Sequence, residues 1–422
     1  MIDLSAMTRS ARQAAHSLAV MTRDRKDETL MTLADLLDSH TDAVLKTNAA
    51  DIELAGEMGL TPALIDRLRL TKAGLHALAE DVREVARLPD PVGCVFDRKV
   101  LDNGLQVHKQ RVPLGVLAVI YESRPNVTVD VSSLALKSGN AVILRGGKET
   151  LHSNRALFEI IQQALAACDL PTGAVQWIDS SDRELVLSLI QMSDDVDMLI
   201  PRGGAGLHDF CREHSRIPVM TGGIGICHLF VDQSADQDAA LRIIHNAKTQ
   251  RPSVCNSLDT VLVHQDIAAD FVPAVITELV QDGVAFRLDP GAMDSIRDLS
   301  FNPSKVSPAG DGDFDTEWLS LVLGVKVVAG LQEAMDHIRT HSTGHSDGIL
   351  TRDEDNANRF VAQVDSAAVY VNASTRFTDG GQLGLGAEVA ISTQRLHARG
   401  PMALEELTTY KWVIVGENHI RK

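Results

Sequence analysis

The sequence lacks long apolar runs. Those at 116–120 and 413–415 fall far short of the roughly 18 residues that a membrane-spanning helix needs, so no helical span is expected. No signal peptide is expected either, because residues 1–20 mix small, apolar and charged side chains without a contiguous apolar core. Positive charge is scarce: 40 Lys and Arg stand against 57 Asp and Glu, for a net charge of −17. Such a chain has nothing to neutralise a phosphate backbone with, which argues against nucleic acid as the main partner. Cysteine is sparse as well. Cys94, Cys168, Cys211, Cys227 and Cys255 are odd in number, far apart and without metal-ligand spacing. A disulfide framework and a zinc site are therefore not expected, no metal is assigned, and a reducing cytoplasm fits best. No internal repeat or low-complexity tract stands out.

What is present points to an α/β protein. A length of 422 residues favours two or three domains, each with its own core. The first ninety residues read as helices, with Leu64, Leu68, Leu75, Leu78, Val82 and Val85 at near-helical spacing. They end at the breaker Leu88-Pro89-Asp90-Pro91. Asn103-Gly104 between β-forming flanks then predicts a hairpin, read either as an arm that packs on a partner subunit or as an ordinary surface ribbon. Short apolar strands at 116–121, 141–145, 175–178, 198–200 and 217–220 alternate with helices at 153–167 and 183–192. That alternation predicts a parallel sheet covered on both faces, of dinucleotide-binding type. A second series follows Cys227: helices at 239–247 and 267–280, and strands at 260–264, 325–329 and 368–372. Residues 302–315, rich in Gly, Pro, Asp and Ser, are expected to form the mobile loop.

Four segments could carry chemistry. Cys255 lies in Lys248-Thr-Gln-Arg-Pro-Ser-Val-Cys-Asn256, after a helix that Pro252 breaks and before a β-branched strand. Lys248 and Arg251 would favour a thiolate on such a loop, and the thiolate is the form that attacks a carbonyl. A buried, inert cysteine fits the same local sequence. Arg202-Gly-Gly-Ala-Gly206 follows an apolar strand and opens a helix, so the amides of Gly203 and Gly204 could approach an anion. A plain tight turn is the other reading. Arg145-Gly-Gly-Lys148 ends a strand, where two cations suit the extra phosphate of NADP, or are simply a solvated basic turn. The stretch 377–386, with four glycines, indicates only a loop with unusual backbone angles.

These segments together resemble the aldehyde dehydrogenase superfamily and, within it, the γ-glutamyl phosphate reductase family. The resemblance rests on Tyr121-Glu-Ser-Arg-Pro-Asn-Val127, Val142-Ile-Leu-Arg-Gly-Gly-Lys-Glu149, Arg251-Pro-Ser-Val-Cys-Asn-Ser257, Val371-Asn-Ala-Ser-Thr-Arg-Phe-Thr-Asp-Gly-Gly381 and Arg399-Gly-Pro-Met402 with Glu405-Glu-Leu-Thr-Thr-Tyr-Lys-Trp412. It implies an aldehyde-dehydrogenase-like fold: two open parallel α/β domains plus a small β oligomerisation element. The nucleotide-binding domain would take residues 1–98 and 113–225, and the catalytic domain with Cys255 residues 226–372. Residues 99–112 and 400–422 would form the oligomerisation ribbon and C-terminal strand of a homo-oligomer.

The resemblance also implies roles. Cys255 matches the nucleophile, which would hold the acyl group of L-glutamyl 5-phosphate as a thioester for reduction by NADPH, in proline biosynthesis. Arg145 falls where the superfamily usually has a lysine on the adenosine ribose. Lys148 falls near the acidic residue of NAD-preferring members, a reversal that favours NADPH. Glu317 resembles the glutamate that orients the nicotinamide ribose, with an ordinary strand-edge carboxylate as its alternative. Ser374 and Arg376 lie in the loop that grips the substrate tail, and Lys248 and Arg251 would assist the departing phosphate. One departure is informative. Hydrolytic relatives place a glutamate base just before a Gly-Gly pair, whereas Val219, Met220 and Thr221 precede Gly222-Gly223 here. A site that passes its thioester to a reductant gains by lacking a water-activating base. A hydrolytic semialdehyde dehydrogenase and a non-catalytic nucleotide-binding scaffold remain the alternatives. The resemblance begins almost at Met1 with no kinase-like segment ahead of it, so a separate glutamate 5-kinase is the expected source of the acyl phosphate.

Overall fold

The structure, a computed structural model, describes residues 2–222 and 224–421. Backbone contacts divide the chain into two compact units. One comprises residues 1–221, 384–390 and 401–422, and the other residues 222–383 and 391–400.

The first unit opens with five helices, Leu4–Leu18, Arg23–Ser39, Thr41–Glu57, Pro62–Leu68 and Lys72–Arg87. In the last of these, Leu75, Leu78, Val82 and Val85 form the buried stripe that their spacing predicts. Strands β1 (Val95–Val100) and β2 (Gln106–Pro113) flank the Asn103-Gly104 turn, where Gly104 takes a left-handed φ of 89°. Four strands, β3 (Val116–Tyr121), β4 (Ala141–Arg145), β5 (Val175–Trp177) and β6 (Met198–Arg202), make a parallel sheet in the order β5-β4-β3-β6. All six residues of β3 are buried, as expected of a strand covered on both faces. The helix Leu151–Ala167 is capped from another helix: the buried Asp51 carboxylate accepts the amides of His152 at 3.1 Å and Ser153 at 2.7 Å. Such a carboxylate satisfies orphan N–H groups and complements the helix dipole.

The strand expected at 217–220 is not part of this sheet. Only one bridge, Leu199 to Val219, joins that segment to β6, and Pro218 has no N–H to extend a ladder. The helix expected at 183–192 closes earlier, as Arg183–Leu189.

The second unit contains a seven-stranded, wholly parallel sheet. Its strands are β7 (Cys227–Val231), β8 (Leu258–His264), β9 (Ala285–Leu288), β10 (Val306–Pro308), β11 (Val322–Val328), β12 (Ser346–Leu350) and β13 (Ala368–Val371). Their spatial order is β10-β9-β11-β8-β7-β12-β13. Side chains alternate across it as the strand period of two requires. Leu229, Val231, Val261 and Val263 join one core, with Ile244, Phe271 and Ile276 of the helices above them. Phe230 and Leu262 join the core on the other face, with Met335, Ile338 and Phe360. Residues 302–315, expected as a mobile loop, contain the edge strand β10, paired in register Val306 to Phe286.

Strands β14 (Ala390–Ser392) and β15 (Gly400–Met402) precede β16 (Thr408–Val415), which pairs antiparallel with β2 along its whole length. β1, β2 and β16 thus form a three-stranded ribbon in the first unit. Tyr410, Trp412, Ile414 and Val415 remain exposed on it, and the Lys109 ammonium lies 4.6 Å from the Tyr410 ring centre. No helix among the described residues is long and apolar enough to cross a membrane.

Candidate active site

Cys255 sits on the loop between the helix Gln237–Thr249 and β8, and its residue is partly exposed. The loop is braced from below. Gly225, just before β7, approaches so closely that a Cβ there would lie 1.6 Å from the Cys255 carbonyl oxygen. Only glycine fits that contact. The Cys227 thiol donates to the same carbonyl at 3.2 Å. Cys227 is fully buried, and desolvation pushes its thiol well above the ordinary value. The two cysteines thus differ sharply: one is sealed in the sheet, the other reaches the surface.

The next residue ties the loop to residues 374–378. The Asn256 side-chain amide donates to the carbonyl oxygens of Thr378 at 2.9 Å and Arg376 at 3.3 Å, while the Thr375 hydroxyl donates to the Asn256 carbonyl at 2.7 Å. Ser374 is buried, and its hydroxyl accepts the Arg376 amide at 3.3 Å. The Arg376 Nε donates to Gln250 Oε1 at 2.9 Å. Burial holds the Arg376 guanidinium below its ordinary pKa and Arg251 adds to that effect, whereas the Cys255 sulfur acts in the opposite sense. Cys255, Arg376 and Arg251 therefore share one electrostatic neighbourhood.

Glu317 joins this group through the backbone. Its Oε1 accepts the Gly225 N–H at 2.9 Å, so the carboxylate and the Cys255 loop lean on the same glycine. Lys248 does not join it. The side chain is wholly buried, and its ammonium lies 3.5 Å from Asp259 Oδ1. An ammonium sealed in this way is not presented to a departing phosphate, and burial is the physical reason to move it out of that role.

The remaining predicted residues lie in the first unit, at the carboxyl ends of its parallel strands. Arg145 closes β4, its terminal nitrogen donates to the Ser181 carbonyl at 3.2 Å, and its Nε is buried without a hydrogen-bond partner. Lys148 is exposed beside it. Glu149 turns inward instead, accepting the amide and hydroxyl of Ser123 at 2.7 and 2.8 Å. The turn at Gly203 and Gly204 holds an anion already, the chain's own Glu122. The Gly204 amide donates to Glu122 Oε2 at 3.0 Å, and a Cβ on Gly203 would lie 2.4 Å from that oxygen. A Cβ at Gly204 or Gly206 would meet nothing within 4 Å, so the outer side of the turn is open.

Before Gly222, the residues Val219, Met220 and Thr221 carry no carboxylate; Gly223 lies outside the described residues. Among the described residues, no group of three or more His, Cys, Asp or Glu side chains could hold a metal ion. Sequence reasoning missed Glu122, Gly225, Gln250, Asn256 and Asp259. Asn256 was findable as the neighbour of the thiol, whereas Gly225 and Asp259 act through contacts that only the folded chain creates.

The aldehyde dehydrogenase family model matches residues 2–294. A gamma-glutamyl phosphate reductase of Yersinia enterocolitica is 56% identical over 418 residues, covering 99% of each chain. The crystal structure of gamma-glutamyl phosphate reductase from Thermotoga maritima is 45% identical, covers 100% of both chains and superposes with a TM-score of 0.95. An engineered glycolyl-CoA reductase with bound NADP+ shares the fold alone, at 16% identity and a TM-score of 0.70 over 98% of this chain and 96% of that one. Full-length similarity at this level, on a fold that carries the expected thiol loop, shows that the chain belongs to the γ-glutamyl phosphate reductase family of the aldehyde dehydrogenases.

Proposed function

We propose that this chain reduces L-glutamyl 5-phosphate to L-glutamate 5-semialdehyde and phosphate with NADPH, through a thioester on Cys255, as a step of proline biosynthesis. The observation that carries the reading is Cys255 as a partly exposed residue on a loop that Gly225 fixes and that Asn256 ties to the Arg376 backbone. A nearby guanidinium supports the ionised, nucleophilic form of a thiol.

The Cys255 thiolate attacks the acyl carbon, and phosphate leaves. Arg376, steadied at Nε by Gln250, turns its terminal nitrogens to the substrate α-carboxylate, a geometry suited to a two-pronged bond. Ser374 fixes the backbone that carries this arginine. Arg251, exposed on the same loop, assists the departing phosphate. The backbone N–H of Cys255 is a donor for the oxyanion; losing such a donor typically costs on the order of a hundredfold or more in rate. A bound nicotinamide cofactor would supply the hydride that reduces the thioester, and collapse of the thiohemiacetal frees the semialdehyde and the Cys255 thiolate. Glu317, braced by the Gly225 amide, would hold the nicotinamide ribose.

The residues present fit an NADP-type cofactor. The buried, unpartnered Nε of Arg145 and the exposed Lys148 offer positive charge at one strand end, while the carboxylate of Glu149 is turned away to Ser123. Val219, Met220 and Thr221 supply no base to activate water, which favours transfer of the acyl group over its hydrolysis. The exposed aromatic and aliphatic side chains of β16 support a homo-oligomer built on the ribbon, and the cysteines, which form no disulfide among the described residues, suit a reducing cytoplasm. A separate glutamate 5-kinase would supply the acyl phosphate.

The test runs the reaction backwards. With glutamate 5-semialdehyde and NADP, NADPH should form only when inorganic phosphate is present. Equal rates without phosphate would mean hydrolysis of the thioester and would replace this reading with that of an aldehyde-to-acid enzyme.

A further inference from the structure

Lys248 and Asp259 are an expensive arrangement. Lys248 is 0% exposed and Asp259 2%, and the ammonium finds no hydrogen-bond partner besides the carboxylate 3.5 Å away. Two charges taken out of water are rarely repaid by their mutual attraction, so a pair of this kind is poor evidence for stability and calls for another role. Its place in the fold supplies one. Lys248 is in the last turn of the helix leading into the Cys255 loop, and Asp259 is the second residue of the strand that leaves it. Asp259 Oδ1 also accepts the Trp318 amide at 3.2 Å, and the carboxylate takes up the Cys227 backbone N–H. Trp318 follows Glu317, and Cys227 is two residues past Gly225, whose amide holds Glu317 and whose Cα lies against the Cys255 carbonyl.

We propose that Lys248 and Asp259 are a positioning pair for the reaction: the Asp259 carboxylate, held as an anion by Lys248, fixes the Glu317–Trp318 and Gly225–Cys227 segments against the Cys255 loop. The inference rests on the roles proposed above for Cys255 and Glu317. The charge state of Asp259 decides whether both amides keep their acceptor. Burial pushes its pKa up to about 6, Lys248 and the more distant His228 work against that, and the neighbouring Cys227 faces Asp347, Glu317 and Cys255 in turn. Removing Lys248 therefore leaves Asp259 to take up a proton near neutral pH. A protonated carboxyl turns one of its oxygens into a donor, so the Trp318 and Cys227 amides no longer both have an acceptor.

The experiment compares the holoenzyme with Lys248→Met and with the double variant Lys248→Met/Asp259→Asn. The single variant should lose about tenfold in kcat at pH 7 and regain most of it as pH rises through the shifted Asp259 titration. Its KM for the acyl phosphate should stay within about twofold of the parent, because no substrate contact is lost. The double variant places at 259 the neutral isostere of a protonated aspartate, one acceptor oxygen beside a donor, and avoids an unpaired buried charge. It should stay about tenfold below the parent in kcat at every pH, with KM unchanged and the pH dependence of the single variant abolished. A double variant with parental kcat, or a Lys248→Met pH profile superimposable on the parent, overturns the proposal. Should Lys248→Met fail to fold, a soluble double variant with a low, pH-independent kcat and parental KM supports it, and one with parental kcat overturns it. A failure of the underlying site reading shows up separately: the unmodified parent would then keep its turnover after Cys255 is alkylated.

Discussion

Cys227 and Cys255 occupy opposite ends of one short hydrogen bond and have opposite fates. The Cys227 sulfur points into the sheet, has no solvent exposure and donates to the Cys255 carbonyl, with its pKa driven well up by desolvation. The Cys255 residue stands on the loop side of that same carbonyl, partly exposed and in the field of Arg376. The residue type is identical and the location nearly so. What separates an inert thiol from the proposed nucleophile is burial: one side chain is closed off in a strand, the other belongs to a partly exposed loop residue. The buried cysteine then acts as scaffold for the exposed one.

The largest effect tests that contrast directly. Cys255→Ser should lower NADPH oxidation with the acyl phosphate by at least about a thousandfold, since a serine hydroxyl without a paired base is a weak nucleophile. Cofactor binding, followed by NADPH fluorescence, should be unchanged. Near-normal turnover in this variant would end the thioester mechanism and with it the distinction between the two thiols.

Next comes the contact that holds them apart. Gly225→Ala puts a methyl group where the Cys255 carbonyl oxygen stands, 1.6 Å away, so the loop must move. A displacement of about 1 Å can cost on the order of a hundredfold in rate. The expected result is a kcat reduced by that factor, with a smaller change in NADPH affinity. A kcat within threefold of the parent would mean that the loop tolerates displacement and that its position is not tightly set.

Lys148→Glu asks whether cofactor choice is independent of the thiol site. The substitution puts a carboxylate where an exposed ammonium stands, and should shift the NADPH over NADH preference by about tenfold. The rate of Cys255 alkylation should not move. An unchanged cofactor ratio would reduce Lys148 to a solvated surface charge.

The contrast also marks the limit of what could be read from the sequence. Apolar strands such as β3 and β4 and the hairpin at Asn103-Gly104 are legible because each rests on a local pattern: burial on both faces, or a turn that needs a left-handed residue. The segment at 217–220 misled because its apolar character says nothing of whether a ladder forms, and Pro218 removes a donor from it. Cys255 stood out through the motif around it. Lys248 was drawn into the same motif by proximity in sequence, although the last turn of its helix points it into the core. Glu122 was invisible as the partner of Gly204, because 82 residues separate them and only the parallel pairing of β3 with β6 brings them together. Chemistry that depends on side-chain direction or on distant partners needs the fold.

Cys227→Ala is the mildest test and the one that defines the scaffold role most narrowly. The substitution removes a buried sulfur and its hydrogen bond to the Cys255 carbonyl, and leaves a small void in a strand that is buried throughout. Losing one such bond and a little packing should cost about 1–2 kcal/mol of stability, read as a lower midpoint in urea. The Cys255 carbonyl still rests on Gly225, so the loop should hold its position and kcat should fall by no more than about threefold. Alkylation read residue by residue, by peptide mass, separates the two cysteines from each other and from Cys94 and Cys168. In the folded parent protein an alkylating reagent should modify Cys255 but not Cys227, and in urea it should modify both. Rapid modification of Cys227 in the native state would mean that β7 opens readily beneath the loop. Gly225 and Cys227 could not then be the fixed floor on which the proposed nucleophile stands.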